Sequence, residues 1–150
     1  MVFVLTSPAF KNGAPVHEHY TCDGADASPP LSWSGAPAGT KSFALLCDDP
    51  DAPGGTWHHW AVYGIPASAT NLPESYPPTK PGQAINDFGR PGYGGPCPPR
   101  GNGPHRYRFR LLALKVETLD FAKAPRCLEV EPKARPHILA TAELVGTYSR

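Results

Sequence analysis

The chain has no apolar run approaching the ~20 residues that a helix needs to cross a bilayer, which argues against integral membrane contact. It also lacks an excess charge of either sign: 14 Lys and Arg stand against 13 Asp and Glu, a net charge of +1 with neutral histidines. Nucleic acid and anionic membrane surfaces are therefore not expected as partners on electrostatic grounds. The four cysteines, at 22, 47, 97 and 127, lack the paired spacing that metal sites use, so reduced thiols are expected. The segment Met1-Val2-Phe3-Val4-Leu5 has no basic region and meets Ser7-Pro8 too soon for a signal peptide, which makes cytoplasmic location the expectation. Charged residues reach only 18% and hydrophobic ones 40%, both low for a globular protein.

Proline and glycine fill the gap, with 20 and 15 copies. Three Trp, six Tyr and six Phe nevertheless argue for a packed, loop-rich fold rather than disorder. A length of 150 residues fits one domain, residues 1–150. So many helix breakers favour strands joined by long loops.

Period-2 patterning places those strands. Residues 1–5 and 31–33 read as short strands, and 41–48 as a buried one with Phe43, Leu45 and Cys47 on one face and Ala44 and Leu46 on the other. Extending that strand by one residue puts Asp49 with Phe43. Residues 57–65 come next, with Trp57, His59, Ala61 and Tyr63 predicted on one face and His58, Trp60 and Val62 on the other. The adjacent histidines therefore cannot share one site. Residues 66–103 form an irregular stretch longer than ordinary loops, itself a hint of binding or catalysis. In 105–116, His105, Tyr107, Phe109, Leu111 and Ala113 share a face, while Arg106, Arg108 and Arg110 read as a solvated row. A weak helix over 129–139 and a last strand over 141–148 complete a mostly β reading: two packed antiparallel sheets and one short helix.

The chemistry gathers at strand ends. Asp49, His59 and His105 supply a carboxylate and two imidazoles, Tyr107 a phenol, and the loop Gly94-Gly95-Pro96-Cys97-Pro98-Pro99 backbone N–H groups at its glycines. Donors around a central imidazole suit a small oxyanion such as a phosphate monoester. Taken singly, Asp49 and Asp51 read best as Asx-turn residues, and His59 and His105 serve equally well as satisfied core histidines. The alternative function is hydrolysis, with Asp49, His59 and His105 holding a metal or Cys97 acting as nucleophile beside a histidine.

Asp49-Pro50-Asp51-Ala52-Pro53, Trp57-His58-His59-Trp60, the 94–99 loop and His105-Arg106-Tyr107 together resemble the phosphatidylethanolamine-binding protein family, which includes the Raf kinase inhibitor protein. Tyr20-Thr21-Cys22-Asp23-Gly24, Ser28-Pro29-Pro30-Leu31-Ser32-Trp33 and Glu143-Leu144-Val145-Gly146-Thr147-Tyr148 resemble its bacterial branch. The resemblance covers nearly the whole chain. It implies a Greek-key β-sandwich with one or two short helices and a small pocket for phosphate or a phosphomonoester head group. The implied lining is Asp49, Trp57, His59, Gly95, Cys97, Pro99, His105 and Tyr107, with no cofactor, no metal and no catalytic residue. A phosphate-bearing small molecule or lipid head group is the implied ligand. A kinase or protease as regulated partner, and a homodimer, come with the family. The chain ends at Arg150 without the C-terminal helix of animal members, so a more open pocket is expected.

Overall fold

Burial alternates along most of the strands, and the alternation sorts them into two antiparallel sheets. The structure, a computed structural model, describes residues 2–150. A small sheet has the order β1 (Val4–Thr6), β2 (Leu31–Ser34), β5 (Asn71–Leu72). A larger one has the order β4 (Trp57–Pro66), β3 (Ser42–Asp49), β6 (His105–Leu114), β7 (Ile138–Tyr148). Between them, Leu5, Leu31, Trp33 and Leu72 meet Phe43, Leu45, Phe109 and Leu111. The outer face of the larger sheet presents Ala44, Leu46, Leu112 and Leu114 to Cys127, Val130 and Ala134 of helix α1 (Cys127–Ala134). Covered on both faces, β3 is buried at every position.

The helix begins and ends earlier than the sequence pattern places it. The Arg126 N–H donates to Glu129 Oε1 at 2.8 Å and sets the start. Pro132 lies inside α1 on its exposed side, where a carbonyl left without an N–H partner reaches water. A 3-10 turn, Arg135–His137, leads into β7, which starts three residues ahead of the expected strand. Strand β5 has two residues, too few to show a period, and lies within the stretch read as irregular.

Three expectations are corrected. In β4, Cys47 pairs with Trp60 but Asp48 with His58, so His59 is an extra, bulged residue. Trp57 and His59 do share the inner side, but past the bulge it is Trp60 and Val62 that join the inner core, while Ala61 and Tyr63 turn toward α1. A second shift, at Gly64 with φ 69°, returns Ile65 to the inner core. The arginine row is a solvated face only at Arg106, whose side chain is 60% exposed. Arg108 and Arg110 reach the buried Asp48 at 2.8 and 3.0 Å, and Arg110 also pairs with Glu131 of α1 at 2.9 Å. Periodicity identifies a face but not what later folds over it. The third correction concerns the thiols. Cys22 and Cys97 form a disulfide across 75 residues, with Cα atoms 5.4 Å apart, whereas Cys47 and Cys127 are buried free thiols. No local spacing announces such a partner.

Candidate functional site

Strand β3 ends at the edge of the sheet where β4 and β6 begin. Asp49, Trp57, His59, His105 and Tyr107 thereby meet around a cleft of about 210 Å³. The opposite wall is the Cys97-Pro98-Pro99 run, with Ala52, Pro53 and Phe88 at the sides. Every expected lining residue is in place except Gly95. The Gly95 N–H donates instead to Asp26 Oδ1 at 2.9 Å, and the Gly94 N–H to the His59 carbonyl at 3.1 Å. Those amides are spent within the protein and do not face a ligand. Glycine at 95 answers a close approach: a Cβ there would run into the Tyr20 carbonyl and the Asp26 carboxylate.

Asp49 serves both of its readings. Its Oδ1 accepts the Asp51 N–H at 2.8 Å, an Asx-turn, and its Oδ2 meets His105 Nδ1 at 2.7 Å in a buried pair. His105 Nε2 meets Asn102 Oδ1 at 2.6 Å, so the ring is clamped at both nitrogens. Asp51 stays outside the cleft but pins its rim. It accepts the Arg106 N–H and guanidinium at 2.9, 3.0 and 2.9 Å, and Arg106 lowers its carboxyl to about 2.

His59 and Tyr107 differ from this saturated pair. His59 Nδ1 lies 2.6 Å from the Gly94 carbonyl. A carbonyl only accepts, so Nδ1 carries the proton and Nε2 remains without a protein partner. Burial pushes the His59 pKa below its ordinary 6.5, with the Gly94 bond and the Asp49 charge acting against that shift. Near neutral pH the ring is therefore neutral. The Tyr107 hydroxyl is buried and makes no hydrogen bond of acceptable geometry. Desolvation, then the nearby Asp49 charge, pushes its pKa far up. The Phe88 ring stands edge-on to Trp57 and His59, each 5.5 Å between centroids.

Phe88 and Asp26 are the residues that sequence reasoning missed. Both lie in loops, where no period reports side-chain direction. His58 faces the other side of the sheet, beside Asp48 and Arg110. Among the described residues, no three His, Cys, Asp or Glu are grouped to hold a metal ion. Cys97, joined to Cys22, has no thiol to act as nucleophile.

The phosphatidylethanolamine-binding protein family model matches residues 6–149. The chain belongs to that family. A UPF0098 protein of Aquifex aeolicus is 52% identical, over 99% of this chain and 90% of its own. The crystal structure of Escherichia coli YbcL, described as a new member of the mammalian family, superposes with a TM-score of 0.92 at 39% identity, covering 99% of this chain and 98% of that one. A candidate lipoprotein of Mycobacterium tuberculosis, LppC, is 40% identical over 96% of this chain and 71% of its own. The family fold thus extends from β1 to β7, with the cleft at one edge of the larger sheet.

Proposed function

We propose that the chain is a non-enzymatic binding protein whose cleft takes a small oxyanion of the phosphate or phosphomonoester class. The observation that carries this reading is the buried Tyr107 hydroxyl, which makes no hydrogen bond of acceptable geometry within the protein, the nearby Asp49 carboxylate included, on a residue that lines the cleft. Leaving a polar group buried and unpaired costs about 1–3 kcal/mol, and a ligand oxygen removes that cost. His59 Nε2 is the second open group, on a ring that stands edge to face with that of Tyr107 at 5.3 Å between centroids. The cleft is smaller than the ~300 Å³ at which pockets for drug-sized ligands begin. It suits a phosphate group with the rest of its molecule outside.

Asp49 sets the protonation of what binds. A carboxylate in the wall disfavours a naked dianion, so the bound oxyanion passes a proton to His59 Nε2, the open ring nitrogen of the cleft. Phosphate carries such a proton near pH 7 and sulfate does not. Binding is favoured over hydrolysis because both nitrogens of His105 and both oxygens of Asp49 are already engaged and Cys97 is in a disulfide, which leaves His59 Nε2 open without a thiol nucleophile beside it.

Isothermal titration with phosphate, O-phosphorylethanolamine and sulfate tests the reading. Phosphate and the monoester should bind, and sulfate at least about tenfold more weakly, a difference of ~1.4 kcal/mol. Tyr107→Phe should weaken phosphate binding about tenfold without loss of fold, since it deletes only an unpaired hydroxyl. Equal heats for parent and Tyr107→Phe, or none from any anion, would overturn it. Vesicles bearing phosphatidylethanolamine distinguish a lipid head group from free phosphomonoesters.

A further inference from the structure

A single peptide unit, the one joining Gly94 to Gly95, is held at both ends by polar side chains. Its carbonyl oxygen accepts from His59 Nδ1 at 2.6 Å, and its N–H donates to Asp26 Oδ1 at 2.9 Å. A carboxylate on the N–H side polarises the peptide, and the oxygen of that same peptide becomes the stronger acceptor. The backbone is shaped around these contacts. Asp26 stands at φ 57°, a left-handed conformation that Asp and Asn enter more readily than other residues with a side chain. Gly95 has no room for a Cβ between the Tyr20 carbonyl and Asp26.

We propose that Asp26 is a positioning residue for the cleft: through the Gly94–Gly95 peptide it fixes the His59 tautomer that leaves Nε2 open to an anion, and its charge helps that nitrogen accept a proton. The proposal rests on the anion-binding reading of the cleft. Its geometry resembles a carboxylate–histidine pair with an amide inserted between the two groups. Other groups also act on His59. Asp49 on β3 and Tyr107 and His105 on β6 face it across the cleft, and the charges of Asp49 and then Asp48 favour the protonated ring ahead of that of Asp26. Arg90, 3.3 Å from Asp26 Oδ2, moderates the Asp26 charge from the solvent side.

The deciding measurement is the pH titration of the His59 ring by nitrogen-15 NMR, without any anion, in the parent and in Asp26→Asn. Asparagine suits the same φ and can still accept the Gly95 N–H, so shape is kept while charge is lost. The His59 midpoint should fall by about half a pH unit. Phosphate affinity measured between the His59 midpoints of the free protein and the complex should fall about threefold, the factor that half a unit implies. A midpoint unchanged in the folded variant would overturn the proposal. Should the variant not fold, the parent decides: on acidification the Gly95 amide proton and the His59 Nδ1 proton, at the two ends of one peptide unit, must shift together. A Gly95 response without one at His59 breaks the relay. If phosphate gives no heat with the parent, the binding reading fails while the ring titration still reads the relay.

Discussion

Two histidines of like chemistry occupy the cleft in different states of readiness. His105 is clamped between Asp49 and Asn102, whereas His59 keeps one nitrogen open and is held neutral by burial. The sign of the pH effect follows. The His59 pKa is depressed in the empty cleft, and an anion beside Nε2 raises it, so binding takes up a proton. Affinity should fall as pH rises through the raised value of the complex, and level off below the depressed value of the free protein. Calorimetry from about pH 5.5 to about pH 8.5 should show the slope, together with buffer-dependent heats from the proton taken up. A flat profile would mean that neutral donors alone hold the anion. At this scale the sequence was informative wherever a strand carried the side chain. Alternation aims Asp49, His59, His105 and Tyr107 before any tertiary contact is known. Phe88 and Asp26, on loops, had no such pointer, and the Gly95 N–H, expected to face a ligand, is taken by Asp26.

At the scale of elements, the bulge at His59 is the feature that matters most for the site. It lets His59 and Trp60 both face inward, one to the cleft and one to the core, which a regular strand forbids. Bulges interrupt the period from which strand faces are read, and for that reason the inner and outer residues of β4 were misassigned beyond His59. The opposite face of the sheet is fastened differently. Asp48 is 1% exposed and is paired with Arg108 and Arg110, the latter reaching on to α1. Asp48→Asn should cost about 2 kcal/mol in urea unfolding, because it removes the buried charge that Arg108 and Arg110 share while Arg110 keeps only Glu131. A loss under ~1 kcal/mol would show that water already satisfies them. The alternating arginines were legible, but the helix that draws Arg110 into an ion-paired interior was not.

For the molecule as a whole, the Cys22–Cys97 link couples stability to the cleft. It closes a 75-residue separation and ends on a residue that lines the pocket. Loop-closure entropy gives such a link about 4 kcal/mol. Reduction, or Cys22→Ala with Cys97→Ala, should lower unfolding stability by about that much and weaken phosphate binding in the same sample. Retained affinity after reduction would mean that the Pro98-Pro99 wall is stiff enough by itself. Structural disulfides persist in oxidising compartments, so the Cys22–Cys97 link weighs against the expectation of a cytoplasmic location. Near-equal charge, strand periodicity and the placing of acids, imidazoles and phenol at strand ends are properties of local chemistry, and the sequence by itself determined them. Which cysteine meets which, where β4 gains extra residues, what covers the arginines and which loop carbonyl orients His59 are decided by contacts between distant segments, and only the tertiary structure could settle them.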